Sequence, residues 1–441
     1  MKISNHFQNR LPSVIRSAQI AFSERGDVNE IEVINMAIGN ISLPMYPSMI
    51  KKLHEIGKSI FSDGVVKYTP TVGTENARNA FLNILAAEGY DTTGIMSMVT
   101  DGGSAAMELM LLGICGPNSD RPILFLDPTY TNYKDFSKRL SIPTISTNRA
   151  INDDGTFSDI NFEEIESLII NHRPTGLLII PYDNPTGQFL SKNVICEIGK
   201  LAVKYDIWLI SDEAYRSLSF LDNIGSSIWS LNESNVEGIT GRRISIESAS
   251  KVWNACGIRI GGLLTDNQKM HDSAVSEYTA NLCANALGQE IFGALAKEPH
   301  NQIIKWQISQ KNYYKRFSDK LKLKFQKYIP GLIVTVPEAA IYFVLDFRNI
   351  TDDRFDTTDF IHYCATKGKV KIKGSYFTLL LAPMSGFYSS REKGKTQVRV
   401  AMVEDLDRME LAPEILKQLL FTFIFPLIRL IIFLATKSDL K

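Results

Sequence analysis

The sequence has no cysteines paired at a metal-binding or redox spacing. Its five cysteines, Cys115, Cys196, Cys256, Cys283 and Cys364, are scattered, which argues against a metal site or a disulfide framework and reads as reduced thiols. No charge of one sign prevails: Lys plus Arg number 48, and so do Asp plus Glu. That balance gives no general attraction to nucleic acid or to an anionic membrane, so a small-molecule partner is expected and nucleic acid is not. Internal repeats and low-complexity linkers are absent as well. The opening residues, MKISNHFQNRLPSVIRSAQ, lack the unbroken apolar stretch of a secretory signal, and the expected compartment is the cytoplasm.

What is present is ordinary globular material. A chain of 441 residues, 44% hydrophobic and 22% charged, is too long for one small core and suits a large domain with a smaller lobe. PILFLD, GLLIIP, IWLISD, ISIESAS and GGLLT read as buried strands. Between two of them, Leu190, Val194, Ile198, Leu201 and Ala202 recur at helical spacing behind Ser191, a natural N-cap. Strands alternating with helices predict an α/β fold: a mostly parallel central sheet flanked by helices. Near Asn301 the pattern changes to a long helix with Ile303, Ile304, Trp306 and Ile308, then LIVTV and AIYFVLDF. The expected division is an N-terminal arm with part of the small domain (1–45), a large domain (46–300), a smaller α+β domain (301–418) and an apolar tail (419–441).

That tail, LLFTFIFPLIRLIIFLA from Leu419 to Ala435, falls short of the roughly 20 residues a membrane span needs, and Pro426 and Arg429 interrupt it. The length argument weighs against a membrane; a packed terminal helix, a tail anchor and an aberrant C-terminus all stay open.

Ligands of such sheets bind beyond the carboxyl ends of the strands. Asp127, Asn184, Asp212, Ser248 and Lys251 all fall there. Lys251, in SASKVWNACGIRIGG, is set among small and apolar residues, and partial burial would favour its reactive neutral form. Ser248 and Arg259, three before and eight after it, suit a phosphate group, as do Ser104 and Ala105 at the helix start in TDGGSAAMELMLLGI. Taken singly, each has a plain structural alternative: a surface lysine, a Gly-Gly turn, a helix-capping aspartate.

Taken in order, the motifs G-N-x-x-L-P, Y-x-x-x-x-G, G-G-S, P-x-Y, N-P-T-G, D-E-A-Y, S-x-S-K and R-V-A, over about residues 30 to 410, resemble the class I/II aminotransferases. These are enzymes of the pyridoxal 5'-phosphate (PLP) dependent transferase fold type I. The resemblance implies that Lys251 is the Schiff-base lysine and moves the proton from Cα. It implies Asp212 at the pyridinium nitrogen, Asn184 and Tyr215 at the phenolic oxygen, and Tyr130 stacked on the ring. Ser104, Ala105, Ser248 and Arg259 would form the phosphate cup. Arg399 would grip the α-carboxylate, with Gly39 offering a backbone N–H to it. Tyr68 would cross a homodimer interface to the partner's phosphate.

The implied reaction moves an amino group from an L-amino acid, aspartate or an aromatic one, to a 2-oxo acid. Rival readings are β-elimination, decarboxylation or oxidation on the same cofactor, a ligand sensor, and a membrane-tethered non-catalytic protein. The Arg399 grip argues against decarboxylation, and the first 30 residues are too short for a DNA-binding module. The sequence departs from the family pattern in NISLP, where many relatives have an acidic residue and more prolines, and in YDNPTG, which carries Asp183 where Asn or His is common.

Overall fold

A computed structural model of the chain describes residues 1–10, 12–58, 61–221 and 225–425. Its centre is a seven-stranded sheet in the order Met96–Asp101, Ile260–Thr265, Arg243–Ser248, Trp208–Asp212, Gly176–Ile179, Ile123–Asp127, Thr144–Asn148. Five neighbouring strands, from Arg243–Ser248 to Thr144–Asn148, run parallel. Ile260–Thr265 is antiparallel to both of its neighbours. The strand residues alternate between two cores, because successive side chains leave opposite faces. Leu124, Leu177 and Leu209 join one core; Phe125, Leu178 and Ile210 join the other. Burial on both faces is what a sheet covered by helices requires.

The helix between the central strands runs Lys192–Lys204, and the Ser191 side chain accepts from Val194 N, as the capping pattern predicts. The long helix spans His300–Tyr328 and buries Ile303, Gln307, Gln310, Tyr314, Phe317, Leu321 and Phe325. Ile308, grouped with the apolar set from the sequence, instead sits on the exposed face. Beyond this helix, Ala382–Pro383, Gln397–Ala401, Tyr342–Asp346 and Ile333–Val334 form an antiparallel sheet. The early strand Ile31–Asn35 joins the C-terminal part of the chain, pairing in parallel with Ser375–Leu380.

The last described helix, Ala412–Ile424, carries the start of the apolar run, and its Leu419 and Leu420 are buried. The rest of that run, with Pro426 and Arg429, lies outside the described residues. Among the described residues no helix is long and apolar enough to cross a membrane.

Candidate active site

Parallel strands bring their carboxyl ends to one edge, and the reversed strand Ile260–Thr265 starts there, which delivers Arg259 to the same edge. A cleft of about 980 Å³ opens above it. Ser104, Tyr130, Asn184, Asp212, Tyr215, Ser248, Lys251, Arg259, Gly39 and Arg399 all line it. Ala105 does not; it packs against the neighbouring core, and Gly103 lines the cleft instead. Asp127 is also diverted, into an ion pair with Lys134 at 2.8 Å and a hydrogen bond from Ser146. Tyr68 is elsewhere, 78% exposed.

At one end of the cleft the helix Gly102–Ile114 begins. Its exposed N–H groups and Arg259 make a concentrated positive corner. Gly102 has φ +73°, a left-handed conformation that favours glycine, and a Cβ there would stand 2.3 Å from Arg259 Nη2 and displace the guanidinium. Ser248 closes that corner from the strand Arg243–Ser248.

On the floor, Asp212 ends its strand fully enclosed. Oδ1 accepts from Ala214 N at 3.0 Å and Oδ2 from the Tyr133 hydroxyl at 2.8 Å. Burial pushes its carboxyl up to about 6, and the Ala214 and Tyr133 bonds only partly offset that. No cation among the described residues neutralises it. Lys251 Nζ donates to Gly39 O.

On the opposite wall Arg399, 3% exposed, projects from the strand Gln397–Ala401. It donates to Asn184 Oδ1 at 2.7 Å and Ala37 O at 2.6 Å, while its Nε has no partner. No carboxylate pairs with it among the described residues. Asp183, one of the departures noted in the sequence, forms a buried ion pair with Arg149 at 2.9 Å. Arg149 also donates to Leu126 O and Pro128 O, tying the turn before Tyr130 to the turn before Asn184.

Sequence reasoning passed over Tyr133, Arg149 and Tyr342. Tyr133 stands three residues after Tyr130, a helical spacing that would have aimed both at one site. Tyr342 lies in an apolar strand that reads as core, and Arg149 has no motif around it.

Residues 31–410 match the family described as aminotransferase class I and II. The chain is 23% identical to the aspartate aminotransferase of Pinus pinaster over 67% of its own length and 58% of that enzyme's. It is also 23% identical to a Saccharomyces cerevisiae protein named as a probable kynurenine–oxoglutarate transaminase, over 72% of this chain and 70% of that one. The N-succinyldiaminopimelate aminotransferase structure from Mycobacterium tuberculosis superposes with a TM-score of 0.77 at 20% identity, covering 95% of this chain and all of that one. At that identity the structural likeness is one of fold.

Proposed function

The chain belongs to the class I and II aminotransferases, pyridoxal-phosphate-dependent enzymes of fold type I, and from that premise we propose the roles of its own residues. Lys251 carries the cofactor, and the enzyme passes the amino group of an L-amino acid, aspartate first among candidates, to a 2-oxo acid. One observation carries this reading: a single cleft holds Lys251, a buried carboxylate without a cation and a buried guanidinium without a carboxylate, among the described residues.

Those unmet charges fit the cofactor and an amino acid. When bound, pyridoxal phosphate supplies an aldehyde that condenses with amines and a cationic ring that draws electrons from Cα. Asp212 would hold the ring nitrogen, where its carboxylate would favour the cationic ring. Ser104, Ser248, Arg259 and the N–H groups of the helix start, Ala105 among them, would hold the phosphate. Tyr130 would cover the ring, and Asn184 and Tyr215 would hold the phenolic oxygen.

Arg399 binds the α-carboxylate through its planar fork, kept in plane by Asn184 and Ala37. Gly39 would offer its backbone N–H to the same carboxylate. Lys251 Nζ would take the proton from Cα as a base and then, as an acid, give it up on the cofactor side rather than back to Cα. The strands bearing Arg399 and Tyr342 close the cleft against water.

Relatives named for aspartate and for kynurenine frame the choice of donor. Arg16 at the cleft mouth donates to the neutral Gln19 at 2.9 Å rather than to a carboxylate, which favours an acidic side chain. Exposed Tyr68 suits a homodimer in which each protomer completes its partner's site. The scattered cysteines and balanced charge suit the cytoplasm.

The test is an absorption spectrum of the purified protein with added pyridoxal phosphate. A visible band that L-aspartate converts to a near-ultraviolet one, without any 2-oxo acid, is expected. A band that aspartate, glutamate and the aromatic amino acids all leave unchanged would refute transamination. No band at all would refute the cofactor assignment.

A further inference from the structure

Tyr342 opens the strand Tyr342–Asp346, which pairs antiparallel with Gln397–Ala401 so that Val344 faces Arg399 and Tyr342 faces Ala401. Residues two apart on a strand share a face, so Tyr342 is a diagonal neighbour of Arg399 on the cleft side. The contact is direct: the guanidinium carbon of Arg399 lies 4.3 Å from the Tyr342 ring centroid. The ring is thus a shelf under the cation.

The hydroxyl of Tyr342 serves a different neighbour. It lies 2.6 Å from the Tyr215 hydroxyl, both side chains being buried. A Cβ placed on Gly39 would fall 2.2 Å from Tyr342 Oη and 3.1 Å from Lys251 Nζ. Tyrosine hydroxyl and lysine amine therefore border the same small space, which glycine leaves open. A residue needed only as core filler would be as well served by phenylalanine, with no hydroxyl to satisfy.

We propose that Tyr342 is a positioning residue of the reaction centre, its ring holding Arg399 in plane and its hydroxyl orienting Tyr215 beside Lys251. This rests on the transaminase reading above. It makes one side chain the link between carboxylate recognition and the proton-handling side of the cleft. With Tyr342 as the donor of this pair, the Tyr215 O–H is polarised and would bind an anionic oxygen more strongly. Losing that donor leaves the anionic oxygen more basic.

The experiment uses the full chain loaded with pyridoxal phosphate, as wild type, Tyr342→Phe, Tyr342→Leu and Tyr215→Phe. Two quantities are read: the pH midpoint of the visible band, and the L-aspartate or L-phenylalanine concentration that half-converts it. Tyr342→Phe keeps the shelf and loses the hydroxyl. Its midpoint should move up, by less than in Tyr215→Phe, with half-conversion within about twofold of wild type. Tyr342→Leu should move the midpoint equally and raise half-conversion about five- to tenfold.

An unmoved midpoint in Tyr342→Phe would overturn the proposal, as would unchanged half-conversion in Tyr342→Leu. Equal half-conversion defects in the Phe and Leu variants would also overturn it, since the ring would then carry nothing. The Phe variant retains the core volume and decides the hydroxyl's role by itself if the Leu variant does not fold. A wild-type protein without a visible band refutes the cofactor reading first; a normal band with an unmoved Phe midpoint sinks only the role of Tyr342.

Discussion

Three buried arginines stand around or behind the cleft, and they are not alike. Arg149 meets Asp183, and Arg216 meets Glu247 at 2.6 Å and Glu88 at 3.2 Å. Arg399 meets an amide oxygen and a backbone carbonyl. The acids divide the same way: Asp183 has its guanidinium, while Asp212 has a hydroxyl and an N–H. A buried charge with its counter-charge in the chain holds the fold together. Asp212 and Arg399, which have no such partner among the described residues, share the cleft with Lys251.

If this division is right, removing an unfilled charge costs function and removing a filled one costs stability. Asp212→Asn should lower turnover on the order of 10³-fold, as expected when a preorganised charge at the reacting centre is lost. Its urea midpoint should not fall below that of the wild type; a large loss of stability would break the comparison. Arg149→Met should do the opposite. Leaving Asp183 buried and unpaired should cost about 3–5 kcal/mol in urea unfolding. Arg149→Met combined with Asp183→Leu should recover much of that loss.

Arg399→Gln should raise KM for every amino acid tried by roughly 30-fold, the scale of a lost charge-assisted hydrogen bond to substrate, without a stability defect. A rise confined to one amino acid would move the α-carboxylate site elsewhere.

The smallest effect is in pH. Burial raises the Asp212 carboxyl from the ordinary aspartate range to about 6. A raised folded-state value means the unfolded chain releases that proton first, so this contribution is full below about pH 4 and is lost as pH rises through about 6. In cofactor-free protein, wild type should therefore lose stability relative to Asp212→Asn across that window. Under the proposed pairing of Asp212 with the cofactor's ring cation, saturating pyridoxal phosphate should remove the difference. Glu213, also raised by burial, to about 7, affects both proteins alike and drops out.

How much of this was legible beforehand depended on chain locality. Lys251, Asp212, Asn184 and Arg259 sit in short segments where turn, strand end and reactive group are contiguous, so their motifs announce them. Ala105 shows the limit: a motif locates a helix start but not which side chains turn to the cleft and which to the core. Ile308 shows another, since an apolar residue in a helix has no preferred face until the helix packs. Asp183 was visible as a departure, yet its meaning came only from Arg149, 34 positions earlier and without a motif of its own.

By itself the sequence determined the alternation of buried strands and capped helices, hence a parallel sheet with one ligand-binding edge, and the chemistry available there. These follow from periodicity and nearest-neighbour sterics, which act over a few residues. Only the tertiary structure decided which charges are filled, that Tyr133 reaches Asp212, and that Tyr342 lies between Arg399 and Tyr215. Those relations join residues far apart in the chain, through strand register and the packing of one sheet against another, and no local pattern encodes a distance across a fold.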